Sequence, residues 1–118
     1  MNRHRRLKIW REAGDLLDDV YALTRLLPAD EGYVAATQLR RAAWSVQNNI
    51  AEGNAKLGDA ERRRFLDVSL GSLAEVDSMA ASLARLYELD RNVVTRIEER
   101  RALITAGIFA LLRNRRRP

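Results

Sequence analysis

The chain contains no cysteine and a single histidine, His4. Disulfides and thiolate metal sites are therefore excluded, and so is a zinc site built on clustered histidines. Proline occurs only at Pro28 and Pro118, so no proline interrupts the 89 residues between them. No apolar run approaches the roughly 20 residues that a membrane-spanning helix needs. The first residues are charged but lack the apolar core and small-residue cleavage site of a signal peptide. A cytoplasmic bacterial protein is the expectation. Lysine is scarce as well, with 2 against 19 arginines, a skew that a GC-rich genome produces as readily as function does.

With 118 residues the chain is expected to form one domain, spanning 1–118. Size scaling gives about 6,500 Å² of folded surface against about 19,600 Å² unfolded, enough burial for a core without staples. The net charge of +5 is unevenly placed. Residues 1–11 carry +5, residues 113–118 carry +4, and the middle, with all 16 acidic residues, carries −4. This is the pattern of two basic arms, 1–6 and 113–118, on a mildly acidic body.

Apolar periodicity predicts four helices near 8–27, 36–52, 59–88 and 92–112. In the first, Ile9, Ala13, Leu16, Leu17, Val20, Leu23, Thr24 and Leu27 share a face, and Asp15, Asp18 and Asp19 point away. Three exposed carboxylates there suggest a solvated face rather than a cation site. Pro28 ends this helix and opens a turn to Tyr33. The second helix carries the stripe Leu39, Ala42, Ala43, Val46 and Ile50, and Gly53 is placed for a left-handed C-cap. Asp59 is a candidate N-cap for the third helix. There Phe65, Ser69, Ser72, Val76, Met79, Leu83 and Leu86 repeat as a bundle seam, with Leu66, Leu70 and Leu73 as a second strip. The combined arc is wider than one neighbouring helix needs. Asp90 or Asn92 caps the fourth helix, whose stripe is Val94, Ile97, Ile104, Ile108 and Leu111. Short connections make neighbours antiparallel, giving an all-α, up-down-up-down four-helix bundle.

Gln38, Leu39, Arg40, Arg41, Ala42, Ala43, Ser45, Val46, Asn49, Ile50, Ala51, Glu52 and Gly53 form a pattern. It resembles the bacterial four helix bundle protein family, also described as the proteins encoded in 23S-rRNA intervening sequences. Phe65, Leu66, Ser69, Gly71, Ser72, Leu73 and Glu75 extend the likeness, and Trp10, Ala13, Leu16, Tyr21 and Thr24 echo it more weakly. The resemblance covers roughly residues 7 to 112. It implies the same bundle, ring-like homo-oligomers with a pentamer as the best estimate, and an association with ribosomal RNA. A related accessory group in diversity-generating retroelements uses this bundle as a basic oligomer that partners a reverse transcriptase.

Three groups of residues carry the functional expectations. Gln38, Ser45, Asn49 and Glu52 border the second helix's apolar stripe, and Ser69, Ser72 and Glu75 lie near the third helix's seam. With Gly53, the family-matching members of this cluster read first as a structural hydrogen-bond network. Ser45 and Ser72 have no histidine, lysine or cysteine base at helical spacing, so catalysis is not expected. A Glu52–Glu75 carboxylate pair is open, as is neutralisation by Arg40, Arg41 or Arg101. Arg101 lies in the apolar stripe of the fourth helix and must snorkel to the rim or meet Glu75 or Glu52.

Trp44 points away from its helix's apolar stripe, beside Arg40, Arg41, Gln47 and Asn48. Subunit contact, nucleobase stacking and plain exposure are the three readings. With Leu66, Leu70 and Leu73, this face is the expected oligomer interface. The arm residues Arg3, Arg5, Arg6, Lys8, Arg113, Arg115, Arg116 and Arg117 are the candidate nucleic-acid contacts, to phosphates rather than bases. The expected function is a non-enzymatic oligomer that binds structured RNA, with no cofactor or metal. The alternative is a protein-interaction scaffold or reverse-transcriptase partner whose arms serve only solubility.

Overall fold

The computed structural model describes His4 and residues 7–113, and within them the chain is helical with no strand. The helices are α1 (Lys8–Thr24), α2 (Ala35–Ala55), α3 (Asp59–Leu86) and α4 (Arg91–Arg113), with a 3₁₀ turn at Ala29–Tyr33. Each helix packs against two others, in the cycle α1, α2, α3, α4. Contacts between α2 and α3 run in opposite senses of numbering. Gln38 meets Glu75 and Ser45 meets Ser72, while Gly53 lies against Arg62 and Phe65.

The ends of the helices follow local chemistry. α1 stops three residues before the predicted end, where Leu26 and Leu27 donate to Leu23 and Thr24 in a tightened last turn ahead of Pro28. Gly53 is not a left-handed cap. It lies inside α2, and no glycine has positive φ among the described residues. A Cβ there would stand 3.1 Å from Phe65 Cβ and 3.3 Å from the Arg62 carbonyl, so glycine permits the close approach of α2 and α3. Asp59 is not the N-cap either. Gly58 holds that position, without a side-chain cap. α3 closes through Glu88 at φ 52°, with Leu89 N–H donating to the Ala84 carbonyl at 3.0 Å. That is a Schellman-type ending without the usual glycine. Asp90 caps α4, its carboxylate accepting from Asn92 N–H at 2.8 Å.

The core is made by Ile9, Leu16, Val20 and Leu23 of α1, Leu39, Val46 and Ile50 of α2, Leu66, Leu73, Val76 and Leu83 of α3, and Ile97, Ile104 and Ile108 of α4. The predicted α3 seam is rotated by about one residue. Leu66, Ser69, Leu73, Val76, Ala80 and Leu83 are buried, whereas Phe65, Ser72 and Met79 are half-buried and Leu86 is exposed. The two strips lie about 100° apart on the helix, and α3 needs both because it packs against α2 and α4 at once. Most of its wide apolar arc is covered inside the bundle, with Leu70 left half-buried and Leu86 exposed.

Candidate functional site

The motif residues of α2 and α3 form an interhelical polar ladder. Ser69, fully buried, donates from Oγ to the Val46 carbonyl at 3.0 Å. One turn further along α3, Ser72 Oγ donates to Ser45 Oγ at 2.8 Å. Asn49 Nδ2 donates back to the Ser45 carbonyl at 2.8 Å and lies 3.0 Å from Ser45 Oγ. At the next level Gln38 Nε2 donates to Glu75 Oε2 at 3.1 Å. Glu52 is exposed and stands apart. It lies fourteen residues from Gln38 on α2, about 21 Å along the helix axis, so Glu52 and Glu75 are not a carboxylate pair.

Arg101 does meet a carboxylate, but it is Asp77 of α3, with Nε 3.4 Å from Oδ1. Neither Glu75 nor Glu52 is its partner. Asp15 and Asp18 are exposed as expected, whereas Asp19 departs from expectation. Arg100 of α4 lies 3.4 Å from Asp15, and Asp19 is half-buried. Burial pushes the Asp19 carboxyl above the usual carboxylate range, against the pull of Arg100 and Arg96.

The Trp44 face is partly engaged by the chain's own α1. Trp44 remains 44% exposed, but its indole N–H donates to Tyr21 Oη at 3.1 Å. Arg40 donates to Thr24 Oγ1 at 2.9 Å and holds its guanidinium 4.2 Å from the centre of the Tyr21 ring. Gln47, expected on the outer face, is buried and donates to the Trp10 carbonyl at 3.2 Å. Arg41 alone of the two arginines is exposed. Leu66 and Leu73 are core residues at 1% and 2% exposure and have no surface to offer a partner, because α2 and α4 already cover them. Leu70 is half-buried and lines a groove between α3 and α4 with Phe109 and Leu112. On α4, Leu103 and Phe109 are about half exposed, an apolar surface that periodicity did not single out.

Of the arm residues, Arg3, Arg5, Arg6, Arg115, Arg116 and Arg117 lie outside the described residues. Lys8 is exposed and pairs with Glu12 at 3.8 Å, and Arg113 is the exposed last residue of α4. Arg11 in α1 and Arg63 in α3 are also exposed. α3 starts and α4 ends at the same end of the bundle, where Arg62 of α3 donates to the Leu111 carbonyl of α4 at 2.9 Å. Gly107 of α4 lies against Ile9 of α1, so α1 begins there too. Both arms therefore join the bundle at one end. Arg62 was not singled out by sequence, since an arginine in a run of three reads as solvent-facing. It is 6% exposed, and Asp59 lies 3.9 Å from it. Arg64 is held by Glu61 at 3.1 Å, which lowers the Glu61 carboxyl below the usual carboxylate range and raises the Arg64 guanidinium.

Among the described residues no group of three His, Asp or Glu side chains could hold a metal ion, and no helix is long and apolar enough to cross a membrane. A search of curated proteins finds no match. The model of the family described as "23S rRNA-intervening sequence protein" matches residues 5–109, and the chain belongs to that family.

Proposed function

We propose that this chain is the non-enzymatic protomer of a homo-oligomer that binds structured RNA through its basic arms. The observation that carries this reading is that α1 begins and α4 ends at the same end of the bundle, from which both arms depart. An even number of antiparallel helices brings the two ends of the chain together, so charges at opposite ends of the sequence act on one partner. The family description, which names a sequence within 23S rRNA, supports an RNA setting. The Ser45, Asn49 and Ser72 side chains are occupied with one another, which favours a structural role for the motif cluster over a catalytic one. A cytoplasmic setting fits an RNA partner.

The test is RNA affinity against salt for the full chain and for a form lacking residues 1–6 and 113–118. If all nine basic residues of 1–11 and 113–118 meet phosphates, log affinity falls with log salt at a slope of about −8. The truncated form should show no binding at physiological salt. Absence of binding by the full chain at about 50 mM salt refutes the proposal, because phosphate contacts are strongest at low salt.

Ring assembly, with a pentamer as the expected state, is part of the same proposal. Its surfaces are Trp44 and Arg41 on α2 and the groove of Leu70 and Phe109, in place of the buried Leu66 and Leu73. Trp44→Ala and Leu70→Glu should weaken assembly, and a wild-type monomer in light scattering at micromolar concentration would contradict it. The apolar surface of Leu103 and Phe109 also favours a second reading, a protein-interaction scaffold or an accessory partner of a reverse transcriptase. That reading takes the lead if the full chain binds no RNA.

A further inference from the structure

The outer side of α4 is not patterned as a solvated face. Thr95, Glu99, Ala102, Ala106, Phe109 and Arg113 recur at alternating steps of four and three, and all of them are exposed. They lie across the helix from Ile97, Ile104 and Ile108, which face the core. Alternating steps of four and three are the spacing of a packed helix seam. Two half-exposed side chains flank the stripe, Leu103 on the α1 side and Phe109 on the α3 side. The outer side of α1 differs, since Arg11, Asp15, Asp18, Ala22 and Arg25 are exposed there.

The two ends of this stripe carry opposite charge. Glu98 and Glu99 lie toward its start and Arg113 at its end, and none of the three forms an ion pair among the described residues. The other arginines of this stretch are engaged on the α1 side. Arg100 lies 3.4 Å from Asp15, and Arg96 and Arg100 both act on the Asp19 carboxyl. Between the charged ends, Ala102, Ala106 and Ala110 leave a low ridge. Side chains that small let a second helix approach to about 8 Å, the near limit for packed helices. A parallel neighbour of the same sequence would set Glu99 against Glu99 and Arg113 against Arg113. An antiparallel one sets Glu99 beside Arg113 at both ends. The stripe is complementary to itself in reverse.

We propose that a second copy of this chain covers the stripe, α4 against α4, antiparallel about a two-fold axis near Ala106. The contact is isologous and closes on two copies. The two-fold keeps each flank on its own side. Leu103 of the second copy therefore enters the α1–α4 groove bordered by Ile9, Leu103 and Gly107, and its Phe109 enters the α3–α4 groove bordered by Leu70 and Leu112. Both exposed apolar side chains leave water in each copy. This contact goes beyond the ring proposed above. Trp44 and Arg41 lie on α2, which does not neighbour α4 in the helix cycle, and take no part in it. The groove of Leu70 and Phe109 is the only surface that the two contacts share.

The chain has no cysteine, so Ala106→Cys places a single thiol beside the proposed axis. The full chain carrying it is treated with a short bis-maleimide at micromolar concentration, and the rate of covalent dimer formation is measured. Ala22→Cys, on the outer side of α1, is the control. All substituted positions are exposed, and far-ultraviolet circular dichroism checks that each variant folds. Ala106→Cys should cross-link at least about tenfold faster than the control. Adding Glu99→Arg or Arg113→Glu sets like charges together and should slow it about tenfold, and adding both should restore it to within about threefold. Adding Trp44→Ala should leave the rate unchanged. Equal rates for the two cysteines, or a double charge swap no faster than the single ones, overturns the proposal and leaves the stripe to a different protein. Loss of cross-linking with Trp44→Ala also overturns it, because the α4 helices would then meet only through the ring. If cross-linking follows the charge swap while Trp44→Ala leaves the assembled mass unchanged, the α4 contact stands and the ring surface at Trp44 falls.

Discussion

Arg62 offers the sharpest test of how the arm-bearing end is held together. Its guanidinium donates to the Leu111 carbonyl at 2.9 Å, one of the last carbonyls of α4, which lack partners within their own helix. The side chain is 6% exposed. Arg62→Ala removes a charged hydrogen bond worth about 1.5–3 kcal/mol. It also removes two buried methylenes, at about 0.8 kcal/mol each. Relief from desolvating the guanidinium works against these losses. So does water, which can reach the carbonyl from the adjoining cavity. The net expectation is a loss of about 2–3 kcal/mol, near 10 °C in Tm at about 4 °C per kcal/mol. Arg62→Met keeps the stem and should lose only about 1 kcal/mol. Urea unfolding at fixed protein concentration gives both values, and hydrogen exchange should show the last turn of α4 opening first. A loss below about 0.5 kcal/mol for Arg62→Ala, with α4 protection unchanged, would refute the reasoning.

Three further outcomes follow from the packing and the charges. Ser69→Ala should cost about 1 kcal/mol in chemical denaturation, because the Val46 carbonyl loses its second partner in a dry site. Gly107→Ala should destabilise by about 1 kcal/mol despite the helix propensity it gains, since its Cβ meets Ile9 Cγ2, and the sign should reverse in an Ile9→Ala background, read as a double-mutant cycle. Asp19 has its folded pKa raised above 3.8, so its ionised form disfavours the fold. Stability contributed by this group is present below the unfolded value and is lost as pH rises through the folded one. Asp19→Asn should therefore be the more stable protein at neutral pH, with the difference fading below about pH 3.8.

The four helices were legible because each carries a long apolar stripe at helical spacing, and Pro28 marked the first break. The rotation of α3 was not. Leu66 and Phe65 are neighbours in sequence, and periodicity cannot tell a helix with two packing partners from one with a spare face. Gly53 was visible as important but not for the right reason. A glycine near a helix end reads as a cap, whereas contact with α3 is a property of the neighbour's position. Ser45, Ser72, Gln38 and Glu75 were grouped by their place beside the seam, where Gln38 meets Glu75 and Ser45 meets Ser72. Arg62 and Asp77 were missed because a charged residue's burial or partner depends on the helix opposite. That α1 begins where α4 ends required the topology, since Ile9 and Gly107 are far apart in the chain.

The most direct test of RNA binding is the nucleic-acid content of the protein recovered from its native host. Purification at low salt followed by sequencing of the co-purifying nucleic acid should return structured RNA, enriched over total RNA and released by raising the salt. An arm-deleted form purified in the same way should return none. A full-length oligomer recovered free of RNA, or carrying RNA in proportion to cellular abundance, would contradict the account.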